Sequence, residues 1–332
     1  LEKEKNKDKE LLSLFCGCGG LDLGFHQEGF RSALGYDKRP ESIASWETIF
    51  PTGKGILKDI STLTLEQIDA DYGERFEPIG LIGGPPCQGF SLANRYGSQD
   101  DPRNVLVHRF FDLALQLNER SPLKFIVMEN VPALAGKRGG NILSKELGRL
   151  DQNGFNARVA VLDAVNYSVP QRRKRLFLVA YNRRFTNEFW SLPPIHDHTL
   201  TVRDAIGGFP EPLFFGEHQD QSVKIFHPNH WCMVPRSPKF TSGELFEGYV
   251  DKRSFKTLSW DKPSYTASYG NREIHVHPNC KRRLSVFEAM VIQGFPKTVS
   301  LMGTLSAQIR QVSEAVPPPL ARVVAQSVLK QL

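Results

Sequence analysis

Ile79-Gly80-Leu81-Ile82-Gly83-Gly84-Pro85-Pro86-Cys87-Gln88 is an apolar run that stops in a tight Pro/Gly turn bearing a thiol. The run is short and bounded by turn formers, the pattern of a buried strand. Open α/β sheets place their chemistry just past the carboxyl ends of such strands. A cysteine inside the strand would be inert packing. Cys87, held by prolines at a strand mouth, stands where a nucleophile belongs. By itself the residue is only a candidate, because buried packing is the commoner use of a cysteine.

Outward from this stretch, residues 11–180 alternate short apolar runs with helix-like segments. Strands are predicted at 11–16, 32–36, 79–83, 124–128, 157–162 and 176–181, with amphipathic helices at 105–117 and 141–150 among the connections. The alternation predicts an α/β fold built on a doubly wound, mostly parallel sheet. After about residue 183 the texture changes to Pro, His and aromatic residues, as in PPIHDH (193–198) and FHPNHW (226–231). Periodicity stays weak to about residue 280, which predicts a smaller irregular lobe suited to recognition. Helical patterning returns at 285–293 and 317–332.

Composition narrows the function classes. The chain has 332 residues, 40% of them hydrophobic and 23% charged, as in ordinary soluble globular proteins. No apolar stretch is long enough to cross a bilayer, and the charged first ten residues, LEKEKNKDKE, read as a solvated leader rather than a signal peptide. Leu1 in place of an initiating Met reads as trimming or as an artificial boundary, which leaves the true N-terminus open. Five cysteines without a regular framework point to a reducing, cytoplasmic setting. A net charge of +6, clustered at 172–175, 183–184 and 281–283, suits an anionic partner.

Three further motifs carry chemistry. The first predicted strand runs into Phe15-Cys16-Gly17-Cys18-Gly19-Gly20 and then a helix from Leu21. Glycines there let the backbone turn tightly and approach a ligand at a helix N-terminus. Asp37 ends the next strand, where a carboxylate can take both hydroxyls of a ribose. Cys16 and Cys18 read as small fillers of the turn. Glu129, in Met128-Glu129-Asn130-Val131-Pro132, follows an apolar strand and would stand beside Cys87 if the two strands are neighbours. Partial desolvation there would suit it to proton donation, whereas alone it would read as a helix cap. Gln171-Arg172-Arg173-Lys174-Arg175 precedes the last predicted strand. Arg173 and Arg175 alternate, so both are expected on one face, arranged for a phosphate or a base carbonyl. A solvated basic patch is the plainer reading of such a run.

In this order the blocks resemble the cytosine-C5 DNA methyltransferase family: SLFCGCGGLDLGF, Asp37, Lys58-Asp59-Ile60, GGPPCQGFS, MENVP, QRRKR, RRLSVFEAMVIQGFP and QVSEAVPPPLA. The resemblance spans nearly the whole chain, apart from the leader and the 183–280 lobe. It implies an S-adenosylmethionine-dependent methyltransferase fold, with residues 1–182 and a C-terminal helix at 305–332 as catalytic and cofactor-binding domain. Residues 183–304 would form a target-recognition lobe. It further implies methyl transfer to carbon 5 of a flipped-out cytosine in a specific duplex DNA sequence. Cys87 would be the nucleophile at ring carbon 6, Glu129 the group at N3, and Arg173 and Arg175 the holders of the carbonyl and adjoining backbone. Gln88 and Ser91 would shape the loop. S-adenosylmethionine would rest on Phe15, Gly17, Gly19, Asp37, Asp59, Ile60, Pro86 and Ala315. A monomer acting on double-stranded DNA, away from membranes and in a bacterial restriction-modification system, completes the expectation.

The pattern also departs from the family. Ser313-Glu314 replace a usual Gly-Asn beside the cofactor's methionine end, Asn104 stands for a Gly, and Phe287 for a common Arg. Among rival readings, the same chemistry on tRNA is the nearest, and the long lobe after Arg183 favours DNA. Arg253 and Arg272 are candidates for base contacts in that lobe. Glu314 alone speaks for a catalytically silent DNA-binding scaffold. A nicotinamide oxidoreductase has no use for Pro-Pro-Cys-Gln. His227, His230, Cys232, His275 and His277 have ligand-like side chains without zinc spacing, so no metal is expected.

Overall fold

The computed structural model describes residues 9–86, 105–136, 139–215, 226–251, 254–269 and 273–332. Cys87, Gln88, Ser91, Asn104, Arg253 and Arg272 lie outside them. The chain packs as two compact units, Leu1–Leu162 with Lys174–Pro194 and Leu320–Leu332, and Asp163–Arg173 with Ile195–Pro319. Its strands are β1 (Glu10–Leu14), β2 (Arg31–Asp37), β3 (Lys54–Leu57), β4 (Gly80–Gly83), β5 (Phe125–Asn130), β6 (Phe155–Asp163), β7 (Lys174–Asn182), β8 (Leu213–Phe214) and β9 (Trp231–Cys232). Its α-helices are α1 (Gly20–Gln27), α2 (Pro40–Ile49), α3 (Leu65–Tyr72), α4 (Val105–Arg120), α5 (Gly140–Gln152), α6 (Val202–Ile206), α7 (Val286–Ile292), α8 (Leu305–Glu314) and α9 (Pro318–Leu329). Among the described residues, no helix is long and apolar enough to cross a membrane.

The first unit is built on a seven-stranded sheet in the order β3-β2-β1-β4-β5-β7-β6. β1 to β5 pair in parallel, and β7 runs antiparallel to β5. β1, β4 and β5 are buried along their whole length, which is why their apolar residues stand side by side rather than alternating with polar ones. From β1 the chain winds one way through β2 to β3. It then returns to lay β4 on the other side of β1. The order therefore switches between β1 and β4, where a crevice opens at the strands' carboxyl ends. Leu12, Leu14, Leu34, Leu81, Ile126 and Met128 from the sheet pack with Phe110 and Phe111 of α4 in one core.

All six strands predicted from the sequence are present, and β3 is an addition. Its four residues, KGIL, are half exposed at a sheet edge and hold no apolar run to find. The expected helix at 305–332 is two helices, α8 and α9. Pro317, Pro318 and Pro319 interrupt it, since proline lacks the amide and restricts the residue before it. α9 packs closely on α1: a Cβ at Gly24 would lie 2.4 Å from the Ala321 methyl. Trp190 Nε1 anchors the same helix by donating to Ser327 Oγ at 2.8 Å.

The second unit has little regular sheet. β8 and β9 form a two-residue parallel pair, and polar and ring contacts bind the rest. Arg282 donates to both carboxylate oxygens of buried Glu288 at 2.9 and 3.0 Å, while Ser285 and Glu288 form a capping box on α7. Burial would push the Glu288 carboxyl up, but Arg282 brings it below the ordinary range. Phe287 stacks on His227 at 3.7 Å and on Phe209 at 5.2 Å, so the residue that stands for an Arg is a core slab. Residues 163–173 and 305–319, grouped with the sheet in the sequence reading, pack in this unit. Gln171 bridges to Ser264, and Arg172 N donates to Ser264 O at 3.0 Å.

One buried group in the first unit is anomalous. Asp22, on the first turn of α1, is fully buried, and among the described residues neither carboxylate oxygen has a hydrogen-bond partner. Ser13, Ser32 and Trp46 surround it without meeting hydrogen-bond geometry, although their polarity pulls back part of the shift. Burial raises its pKa above the usual carboxylate value. The protonated form is thus favoured in the fold, and stability is lost as pH rises through the folded-state pKa. For Asp22→Asn, thermal melts between pH 4 and 8 should show a stability difference that shifts in the variant's favour as pH rises. A flat difference would show that the charged form carries no penalty.

Candidate active site

The first half of the site is the turn after β1. Phe15 has φ 55, Gly17 φ 54 and Gly19 φ 86, so three of five consecutive residues are left-handed. For Phe15 that conformation is costly, and such outliers cluster at functional positions. Cys16 N still donates to Tyr36 O at 3.0 Å, tying the turn to the end of β2. There Asp37 accepts from Gly17 N at 3.1 Å and from Arg39 N at 3.0 Å, which fixes its carboxylate over the turn. A Cβ on Gly17 would meet nothing within 4 Å among the described residues. Lys58 N donates to Asp37 O at 2.9 Å and brings the next step alongside. Asp59 caps the following turn by accepting from Ser61 N at 2.9 Å, and the Ser61 bonds draw its carboxyl below the ordinary range. Ile60 is buried.

An open glycine face, a fixed carboxylate and a capped turn fit the adenosyl part of S-adenosylmethionine. Phe15, Gly17, Gly19, Asp37, Asp59 and Ile60 are all brought together in the first unit. Cys16 and Cys18 are buried fillers. Burial, then the Asp22 and Asp37 carboxylates, push the Cys16 thiol well up, which makes it a poor nucleophile at neutral pH.

The second half lies where β4 and β5 end side by side. Gly83 pairs with Met128, so the next residues on each strand, Gly84 and Glu129, are neighbours. A Cβ on Gly84 would lie 3.1 Å from Glu129 Oε2. Asn130 Nδ2 donates to Pro85 O at 2.9 Å and steadies the Pro-Pro turn, with Pro86 half-buried beyond it. Asn130 was not singled out from sequence, although an amide next to Glu129 in MENVP was the available signal. Arg175 Nε approaches Glu129 Oε1 at 2.9 Å, with both side chains nearly buried. Burial lowers the Arg175 pKa, and Glu129 partly restores it.

Arg173 is placed differently. It is fully buried in the second unit, where Nη1 donates to Ala267 O at 2.8 Å and Nη2 to Ser313 O and Ala315 O at 2.7 and 3.0 Å. Ala315 O also accepts from Gln293 Nε2 at 2.7 Å. The two arginines therefore serve separate units rather than one shared face. The histidines are engaged too. His230 sets its nitrogens 2.9 Å from Ser285 Oγ and from Pro210 O, and burial pushes His275 down to about 4. No cluster of three ligand-type side chains with metal-binding geometry occurs among the described residues.

The sheet order and the left-handed glycine turn define the S-adenosylmethionine-dependent methyltransferase fold. Solved structures agree. A prophage-encoded DNA modification methyltransferase candidate of E. coli superposes with a TM-score of 0.82 at 22% identity, covering 97% of this chain and 99% of that one. S. pombe Dnmt2 methyltransferase superposes with a TM-score of 0.64 at 18% identity, covering 97% and 98%. A family model described as C-5 cytosine-specific DNA methylase matches residues 10–330. The Type II methyltransferase M1.HphI of Haemophilus parahaemolyticus is 32% identical over 96% of this chain and 86% of its own length. M.MthTI of Methanothermobacter thermautotrophicus is 31% identical over 97% and 98%. The chain belongs to the C-5 cytosine-specific DNA methylase family.

Breaking a buried ion pair leaves an uncompensated charge. Arg175→Ala should therefore cost about 3 kcal/mol in urea unfolding, with more than half recovered in Arg175→Met/Glu129→Gln. Equal losses in the single and double variants would mean that the pair contributes little.

Proposed function

We propose that this chain transfers the methyl group of S-adenosylmethionine to carbon 5 of a flipped-out cytosine in a specific duplex DNA sequence, through a bond between Cys87 Sγ and ring carbon 6. The observation that carries this reading is Glu129, set against the Gly84-Pro85 turn that leads to Cys87 and paired with Arg175. The Type II methyltransferase names of the relatives support a restriction-modification setting.

Cytosine carbon 5 is a weak nucleophile, and covalent catalysis divides the difficult step. Cys87 adds as thiolate to carbon 6, and Glu129 hydrogen-bonds or protonates ring N3, where negative charge would otherwise collect. Carbon 5 then has enamine character. Bound S-adenosylmethionine supplies an electrophilic methyl group on its sulfonium. Loss of the carbon 5 proton to a water molecule, with its electron pair expelling Cys87 as thiolate, restores the aromatic ring.

Arg175, at the Glu129 carboxylate, is the arginine proposed to hold the cytosine carbonyl. Arg173 has its Nη groups already given to the backbone carbonyls of Ala267, Ser313 and Ala315. Phe15, Gly17, Gly19, Asp37, Asp59, Ile60, Pro86 and Ala315 are the proposed cofactor contacts. Residues 1–182 with 305–332 do the chemistry in this reading, and 183–304 read the DNA. Flipping costs a few kcal/mol in unstacking, to be offset by phosphate contacts from the basic runs. A monomer suffices for one site.

Labelled methyl from S-adenosylmethionine should enter unmethylated genomic DNA and not bulk tRNA. Cys87→Ala should abolish incorporation and retain DNA binding in a gel-shift assay. Glu129→Gln should slow transfer by roughly 10²–10⁴-fold, with cofactor affinity little changed by calorimetry. Label in tRNA alone would move the substrate to RNA. Full turnover by Cys87→Ala would remove the nucleophile assignment.

A further inference from the structure

Helix α4 carries two guanidinium groups that reach the same crossover at opposite ends. Near its start, Arg109 donates through Nε to Ile60 O at 3.4 Å and through Nη2 to Leu63 O. Near its end, Arg120 donates to the two oxygens of Asp69 at 2.9 and 2.7 Å, and to Phe76 O. Between these two staples lie the turn Ile60–Thr62 and helix α3.

The two ends differ in what else holds them. α3 has its own capping box, Thr64 with Gln67, and a left-handed Gly73 to close it. The Ile60–Thr62 turn is a single loose winding. Its backbone bonds, Thr62 N to Asp59 O and Leu63 N to Ile60 O, are long at 3.4 and 3.3 Å. Arg109 takes the carbonyls of Ile60 and Leu63 with one planar fork, which fixes two points of the turn at once. Asp59, just before it, is fixed by Ser61 N. The position of the Asp59-Ile60 step therefore depends on a side chain from another element.

We infer that Arg109 is a positioning residue for the adenine end of the cofactor, acting through the Asp59–Leu63 turn, whereas Arg120 only packs α3 against α4. The inference rests on the proposed contact of Asp59 and Ile60 with adenine. Calorimetry on the full chain separates the two. The probes are S-adenosylmethionine and 5′-methylthioadenosine, which keeps the adenosyl half and lacks the amino-acid end.

Arg109→Gln should weaken both ligands by the same factor, about tenfold, the scale of one hydrogen bond to a charged group. Arg109→Lys, which keeps the charge and one donor direction, should recover part of that loss. Arg120→Gln should lower the melting temperature at least as much and leave both affinities unchanged. Wild-type affinities in Arg109→Gln would overturn the inference, as would an equal loss in Arg120→Gln. A wild-type chain that binds S-adenosylmethionine while Asp59→Ala and Ile60→Ala leave both ligands unaffected would overturn the adenine contact itself.

Discussion

The antiparallel pairing of β7 with β5 is the constraint on which the Glu129–Arg175 pair, and the catalytic role proposed for it, depends. Glu129 stands at the carboxyl end of β5, where the parallel sheet opens. A carboxylate so nearly buried needs a partner, and a cation must reach it without crossing the core. β7 supplies one because it runs the other way: Asn130 pairs with Leu176, so the start of β7 lies at the finish of β5. A parallel strand would have begun at the opposite edge, about 20 Å away for six residues at the usual rise. One reversed strand thus brings Lys174-Arg175 to the edge where Glu129-Asn130 finish β5 and Pro85-Pro86 follow β4.

The proposed cofactor half follows from the switch in strand order. β1 and β4 are adjacent, yet the strands that follow them lie on opposite sides, the switch point at which open α/β sheets take their ligands. Residues there must turn sharply without side chains in the way, and at Gly17 a Cβ would meet nothing within 4 Å among the described residues. Asp37 completes the turn from the neighbouring strand by accepting the Gly17 amide. The carboxylate therefore has a structural duty in holding the loop as well as the proposed duty toward ribose. Its removal would disturb both, so a variant at Asp37 alone does not separate them.

Much of this was legible in the sequence because the central strands are short, wholly buried and punctuated by Gly and Pro. β4 could be read from the apolar run Ile79 to Gly83 and the turn formers that end it. β3 could not be read, since an exposed edge strand of four residues has neither periodicity nor an apolar run. The second unit resisted for a related reason. Its order comes from ion pairs, ring stacks and isolated bridges between residues far apart in the chain, such as Arg282 with Glu211 and Gln171 with Ser264. Contacts of that kind leave no local pattern. Arg109 escaped notice likewise: on α4 it looks like any polar residue of an amphipathic helix, and its role exists only through two carbonyls more than forty residues earlier.

The two arginines of the basic run show where spacing misleads. Alternation places residues 173 and 175 on one face only if both lie within the strand, and β7 begins at Lys174. Arg173 thus precedes the pleat and turns toward the carbonyls that close α8, a favourable place for a cation at a helix C-terminus. Because it grips backbone oxygens rather than side chains, the contact is indifferent to which side chains stand at 313 and 314. Ser313 is still helical, so no glycine is required there. This is the physical reason that Ser313-Glu314 can replace Gly-Asn without undoing the node that holds the segment. The exposed Glu314 side chain is left as the part of that departure which chemistry, rather than folding, must account for.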